Sequence, residues 1–223
     1  MNKANLIGTN VVAIANRFNP SIFKSHWLIK NNLITENEIT KGSLFSDEVV
    51  QVNTHEFQLQ VISPQISATP AALTKASRSR TISLLKSIFG LLPETPVIGL
   101  GINCNWRIAS ENETRGLLKK LFYKAGSPLF NSFSSDDSYF GGYMSKDEAG
   151  GRLRLTVRPV QFKDADSTSI SEVIDFSFNF HLELNLQEPQ EARLELMDRH
   201  LEQWDHIVNH TQDIVTEVSE LNE

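Results

Sequence analysis

Residues 172–186 read EVIDFSFNFHLELNL. Apolar and polar side chains alternate through the whole stretch, which is the period of two that a half-buried β-strand shows. The apolar members are Ile174, Phe176, Phe178, Phe180, Leu182, Leu184 and Leu186. A strand with one apolar and one polar face is typical of an antiparallel sheet that is covered on one side only. Residues 152–162 alternate in the same way, so the two stretches predict a hairpin around residues 164–169.

Working outward from this hairpin, strand-like and helix-like segments alternate along the chain. Strands are predicted over residues 6–16, at two places within 44–63 and over 97–108, and a short strand or turn over 139–143. Helices are predicted over about 20–31, 71–91 and 110–124, with capping boxes at Thr35–Glu38 and Ser110–Glu113. This order predicts an α+β fold, a mostly antiparallel sheet with helices on one face.

Residues 189–221 predict one long amphipathic C-terminal helix that starts at Pro189. Its apolar seam comprises Leu194, Met197, Leu201, Trp204 and Val208. We expect an α+β body over residues 1–188 and a helix over 189–223 that packs on the body or on a partner. The seam is the predicted partner-binding surface, and a homodimer is one form that it could support.

Charge is divided unevenly along the chain. The net charge is −6, from 21 basic and 27 acidic residues. Residues 188–223 hold ten acids against Arg193 and Arg199, whereas the rest of the chain has a small basic excess. Such an asymmetry bears on partners more than on fold, and it indicates a near-neutral body that carries an acidic helix.

Composition and motifs exclude several classes of protein. A single cysteine, Cys104, excludes a disulfide framework and multi-cysteine metal sites, and buried packing is the favoured role for this thiol. No apolar run is long enough to span a membrane and no signal-peptide core is present, so we expect a cytoplasmic protein.

The sequence contains neither a Walker A motif nor a nucleophile elbow. Gly99 and Gly101 lack the third glycine of a dinucleotide fingerprint and are interpreted as marking a bulge or close packing against a helix. We therefore expect a protein without cofactor or catalytic residues.

Metal binding has one candidate in the sequence. His206 and His210 are four residues apart and share a helix face, with Asp213 one turn on. The spacing lacks the glutamate of a zincin motif, so solvated histidines are the favoured interpretation and no metal site is predicted.

Three arginines form the clearest basic feature. Arg152, Arg154 and Arg158 occupy one face of the strand predicted at 152–162, opposite its leucines. An arginine row binds phosphates or carboxylates through its planar donors, although the solvated face of a half-buried sheet is an equal interpretation. We take the three as a candidate phosphate- or acid-binding set. Nucleic acid is the less favoured partner because the chain lacks a basic excess.

The C-terminal part of the chain resembles a sporadically distributed family of uncharacterised bacterial proteins. The resemblance lies in Val173–Phe176, in Phe178 and Phe180, and in the long helix with Leu194, Leu196 and Trp204; the strand Val97–Ile108 is similar to that family's central strand. It covers about half of the chain, and the N-terminal part departs from the pattern. It implies an α+β fold and a bacterial or phage-related setting, and it supplies no catalytic residues.

Three functions remain as hypotheses. The first is a non-enzymatic protein-interaction or assembly subunit that uses the helix seam. The second is a small-molecule binding module with an apolar cavity between sheet and helix, lined by the row Phe176–Phe180. The third is phosphate or nucleic-acid binding through the arginine row. The sequence does not identify the partner, the oligomeric state or whether the sheet and helix enclose a cavity.

Overall fold

The computed structural model describes residues 3–109, 114–148, 150–163 and 170–221. These residues form nine strands: β1 (Lys3–Ala15), β2 (Leu44–Phe45), β3 (Val49–Asn53), β4 (Phe57–Ile62), β5 (Gln65–Pro70), β6 (Val97–Ala109), β7 (Gly142–Glu148), β8 (Gly151–Lys163) and β9 (Ile170–Glu183). The helices are α1 (Ser25–Lys30), α2 (Lys75–Leu91), α3 (Thr114–Phe122), α4 (Pro128–Asn131), α5 (Gln190–Glu202) and α6 (Trp204–Glu220). The predicted α+β class is confirmed.

All nine strands belong to one sheet in the order β2-β3-β4-β5-β1-β6-β9-β8-β7, and each of its pairs is antiparallel. The long strands β1 and β6 pair at its centre, with Val11 opposite Ile102. Each of these two strands is followed along the chain by short helical segments, then by further strands, and then by a longer helical segment. The strand order is therefore nearly symmetrical about the β1–β6 pair, an internal repeat of topology that the sequence did not reveal.

The sheet has one apolar face, and the alternation at residues 172–186 accounts for it. In β9 the row from Ile174 to Leu182 is buried, as are Leu100, Ile102 and Cys104 of β6. Full burial of an aliphatic or aromatic side chain contributes about 1.5–3 kcal/mol. Strand β9 ends at Glu183, but Leu184 still donates its backbone N–H to the carbonyl of Ile98 at 3.0 Å.

Helices α2, α5 and α6 cover this apolar face. Two buried hydrogen bonds attach α6 to both central strands. The indole N–H of Trp204 donates to the Thr9 hydroxyl of β1 at 2.7 Å, and that of Trp106 in β6 donates to the Thr211 hydroxyl at 2.9 Å. Because Trp204 is fully buried, the helix packs against this chain's own sheet through its apolar seam.

The C-terminal segment differs in one respect from the continuous helix that the sequence predicts. Gln203 separates α5 from α6, and its backbone N–H bonds the carbonyl of His200 at 3.1 Å in a tighter turn. The apolar periodicity runs through this turn without interruption, so periodicity alone could not reveal it.

Other boundaries also differ from the predictions. Residues 44–63 form three strands instead of two, and residues 65–70, for which no strand is predicted, form β5. Pro70 is the last residue of β5, where a missing N–H is tolerated. The helix expected after Pro20 is a 3-10 turn over Pro20–Ile22 followed by α1. The capping box at Thr35–Glu38 is present, whereas the box at 110–113 and the hairpin loop at 164–169 lie outside the described residues.

Within the described part of the chain, no helix has both the length and the apolarity that crossing a bilayer requires.

Candidate functional site

The second face of the sheet, which we call the open face, is polar. Side chains that alternate with the buried ones point away from the helices, and amides recur among them across almost the full width of the sheet. These amides are Asn53, Gln51, Gln58, Gln60, Gln65, Asn10, Asn103, Asn105 and Asn179. Helices fill the apolar face, so the open face is where this sheet can meet another molecule.

A groove of about 600 Å³ lies on the open face over the central and C-terminal strands. Asn10 of β1 and Tyr143 of β7 both line it, although β6, β9 and β8 lie between their strands. The groove therefore extends across five neighbouring strands of the open face.

Two glycines of β6 form the floor of this open-face groove. A Cβ at Gly101 would lie 2.8 Å from Nδ2 of Asn179, and a Cβ at Gly99 would lie 2.9 Å from Cε1 of His181. Glycine therefore allows the side chains of β9 to extend across β6. The register between β1 and β6 shifts beside Gly99, in agreement with the bulge interpreted from the sequence, whereas the close approach at both glycines is not to a helix. The group that approaches them is polar and comes from a neighbouring strand.

Three asparagines form a hydrogen-bonded ladder across the groove. Asn179 donates through Nδ2 to Oδ1 of Asn103 at 2.8 Å, and Asn103 donates in the same way to Asn10 at 2.8 Å. Each amide nitrogen carries two N–H groups, so every donor in the ladder retains a second one. The ladder is held in one orientation and presents hydrogen-bond donors to whatever occupies the groove.

The arginine row lies on the open face. In the register of β8 and β9, Arg152 is opposite His181, Arg154 is opposite Asn179 and Arg158 is opposite Asp175. Arg154 lines the open-face groove, whereas Arg152 forms an ion pair with Asp147 at 2.8 Å. Among the described residues, Arg154 has no carboxylate within ion-pair distance. The structure thus distinguishes three arginines that the sequence treats as equivalent.

His181 stands beside Arg154 and is half-buried. Burial lowers the pKa of its imidazole below the usual value of 6.5, and the positive charge of Arg154 lowers it further, against a smaller opposing effect of Glu183. The imidazole is therefore neutral at neutral pH, with one nitrogen able to donate and one able to accept.

A second groove of about 450 Å³ adjoins the first. It is lined by Asp147, Glu148, Gly150, Gly151, Arg152 and Glu183, together with Arg154 and His181. Arg154 and His181 line both grooves and mark the place where they meet.

The predicted partner-binding seam is covered by the chain itself, whereas binding to a partner requires a seam that is exposed. Met197, Leu201, Trp204 and Val208 are buried in the chain's own core, and Leu194 is half-buried against it. A partner could reach these side chains only if α5 and α6 left the sheet. The seam therefore holds this fold together in the structure.

The acidic charge of the C-terminal segment also has partners within the chain. Arg78 of α2 is buried and contacts Asp205 at 2.6 Å, and Lys86 of α2 contacts Glu202 at 2.6 Å. The basic face of α2 thus neutralises part of the acidic helix that the sequence suggested for a partner.

The structure also locates the cysteine, the histidine pair and the phenylalanine row identified from the sequence. Cys104 is a buried strand residue, as expected, and burial raises the pKa of its thiol. His206 stacks on His210, whose Nε2 lies 3.1 Å from a carboxylate oxygen of Glu148. Across the described ranges, no three histidine, cysteine or acidic side chains converge as a metal site would need. Phe176, Phe178 and Phe180 lie within the packed core, and the space between α2 and α5 measures only about 10 Å³.

Sequence reasoning missed the ladder, its glycine floor and the role of His181. The signal was partly present, because Asn179 and His181 alternate with phenylalanines and must point away from the core. What the sequence lacks is the register that places Asn179 next to Asn103, which is 76 positions away in the chain.

Comparison of the chain with protein-family models, with curated proteins and with solved structures finds no match in any of the three. Its function therefore has to be inferred from the side chains of the open face.

Proposed function

We propose that this chain is a non-enzymatic binding module that holds a small polar ligand in the open-face groove. The proposal depends on one observation, the glycine floor. Gly99 and Gly101 leave space that a side chain would fill, and the asparagine ladder holds hydrogen-bond donors in fixed positions beside that space. Its volume of about 600 Å³ falls within the range of about 300–1,000 Å³ that is common for ligand sites.

The chemistry of the lining favours a ligand rich in hydrogen-bond acceptors. The ladder presents spare N–H donors, and Arg154 adds a planar cation that has no carboxylate partner among the described residues. The described lining includes no carboxylate, so an acidic ligand meets no like charge within this groove. The third hypothesis from the sequence is phosphate or nucleic-acid binding through the arginine row. These features support its phosphate-binding form, with Arg154 as the main binding residue.

Binding without catalysis is the simplest role for this lining. Nucleophilic or general acid–base catalysis needs a reactive group oriented by a second one. The described lining instead combines amides, glycines, hydroxyls, one arginine and one imidazole with the apolar residues Val12, Ile14 and Phe178. The apolar cavity of the second hypothesis has less support, since Phe176–Phe180 pack in the core.

A groove-filling variant tests the proposal. Thr156 is exposed in the groove, so Thr156→Trp should fill it without disturbing the core. Thr69→Trp places the same substitution on the open face of β5, outside the groove, and is the matched control. The probes are sugar phosphates, nucleotides, di- and tricarboxylates and neutral sugars, measured by the shift of the melting temperature.

At least one class of probe should stabilise the original chain and Thr69→Trp but leave Thr156→Trp unchanged. The proposal is wrong if no class raises the melting temperature, or if Thr156→Trp responds as fully as the control.

A role as an assembly subunit is a second candidate, and the outer strand β7 favours it. β7 ends the sheet, and its Tyr143 and Met144 are 63% and 44% exposed. An exposed edge strand can pair with a second copy of the chain. In light scattering, a homodimer would have about twice the chain mass of 25.1 kDa, and Met144→Lys should reduce it to the single mass. A single mass for the original chain at all concentrations tested would contradict this candidate.

A further inference from the structure

We infer that the open-face groove binds the anionic group of its ligand, a phosphate or a carboxylate, between Arg154 and His181, and that His181 takes up a proton when the anion binds. This inference rests on the proposed function and adds to it the charge of the ligand, the position of its anionic group and a dependence on pH.

The position follows from how the two grooves meet. Both Arg154 and His181 line the groove of about 600 Å³ and the groove of about 450 Å³. A ligand that lies along the two grooves must pass this pair. The anion would then be held at the middle of the combined site, with space for the rest of the ligand on either side.

The choice of Arg154 follows from the state of its neighbours on the open face. Arg152 is paired with Asp147 at 2.8 Å, and Arg107 is paired with Asp175 at 2.7 Å. Arg158 faces the same way but lines neither groove. Arg154 combines a position in both grooves with the lack of a carboxylate partner in the described parts of the chain, so a ligand can provide the missing negative charge.

The groups around this position are held in place before a ligand arrives. Asn179 is opposite Arg154 in the sheet and is fixed by its hydrogen bond to Asn103 at 2.8 Å. The ring of His181 lies over Gly99, where a larger residue would displace it. Donors that are already oriented lose little conformational freedom on binding, which favours affinity for a small anion.

The proton uptake follows from the charges that face His181. Arg154 and Arg152 approach from β8, and Glu183 lies on the same strand as His181. Two carboxylates approach from β7: Asp147 is paired with Arg152, and Glu148 lies 3.1 Å from Nε2 of His210. His200 approaches from the helical side, and β6 contributes the uncharged Gly99. Burial and Arg154 keep the imidazole neutral in the empty site. An anion beside it stabilises the protonated ring and raises its pKa. Affinity should therefore increase as the pH falls from 8 towards 6.

Small anions and three variants test this inference. Inorganic phosphate and succinate are titrated separately into the ¹³C-labelled chain, and the ring C–H signal of His181 is followed by NMR. Arg154→Gln removes the cation, Arg154→Lys keeps the charge but not the planar donors, and Arg158→Gln is the matched control on the same strand face. Since these arginines are exposed, the variants should retain the fold, which an unchanged melting temperature would verify.

We expect at least one of the two anions to shift the His181 signal, and to bind more tightly at pH 6 than at pH 8. Arg154→Gln should weaken binding about tenfold or more, Arg154→Lys less, and Arg158→Gln should have no effect. A response to phosphate alone assigns a phosphorylated ligand, and a response to succinate alone assigns a carboxylate.

The inference is overturned if neither anion moves the His181 signal, or if Arg158→Gln weakens binding as much as Arg154→Gln. A probe whose stabilising effect is lost in Thr156→Trp but kept in Arg154→Gln would support the proposed function and reject this inference.

Discussion

At the scale of single residues, the structure separates side chains that look alike in the sequence. Thr211 illustrates this, because nothing in its helical spacing shows that its hydroxyl accepts a hydrogen bond from Trp106 and donates one to the carbonyl of Val208. Thr216 lies five residues further along the same helix and is half-buried. The two threonines therefore differ in their contribution to stability.

Thr211→Val keeps the shape of the side chain and removes its hydroxyl. The buried indole N–H of Trp106 then loses its acceptor, so we expect the free energy of unfolding to fall by about 1–3 kcal/mol. Urea denaturation measures the change. Thr216→Val is the control and should change stability by less than about 0.5 kcal/mol; equal effects of the two substitutions would show that the buried hydrogen bond contributes little.

At the scale of secondary-structure elements, α5 contacts the sheet through a histidine. His200 is buried, and its Nε2 lies 3.1 Å from the carbonyl oxygen of Phe180 in β9. Burial, the largest influence, lowers the pKa of this imidazole below its usual 6.5, so the folded chain holds it neutral. The unfolded chain binds a proton more readily at this position.

Stability should therefore be highest above about pH 6.5 and should decrease as the pH falls below that value towards the pKa of the folded state. The melting temperature between pH 7.5 and 5.5 measures this effect in a range where most carboxylates stay ionised. His200→Gln should flatten the decrease, leaving the part due to His181. A decrease of equal steepness in the variant would mean that another group is responsible.

Elements whose buried face is formed by a row of large apolar side chains could be predicted, and elements without such a row could not. The alternation in β9 and β8 and the periodicity of α2 follow from side chains that meet the core. Strand β7 is predicted only in part, as a short strand or turn over 139–143, because its exposed residues, such as Tyr143 and Lys146, show no clear alternation. Strand β5 is not predicted, because its polar residues resemble a loop. The candidate site depends on register between strands distant in sequence, which periodicity does not contain.

At the scale of the whole molecule, two similar halves form a single core. The β1–β6 pairing extends from Lys3 opposite Ala109 to Ala15 opposite Val97. Helix α6 is bonded to both halves, to Thr9 in β1 and to Trp106 in β6. Neither half can lose its structure without removing partners from the other.

We therefore expect the chain to unfold in one cooperative transition. Tryptophan fluorescence reports on Trp106 and Trp204 near the join and on Trp27 in α1, and far-UV circular dichroism reports on all strands and helices. The two midpoints should coincide. Two separate transitions, or a calorimetric enthalpy above the van't Hoff value, would show instead that the halves unfold independently.

The glycine floor of the open face has a consequence for how this chain tolerates mutation. Gly99 and Gly101 lie opposite the buried side of β6, and the side chains that a new Cβ would touch first are those of His181 and Asn179. A single missense change at either codon would reshape the groove while leaving the buried face of the sheet intact. The fold and the groove can thus change independently of each other, and a natural variant at either position would keep the former while altering the latter.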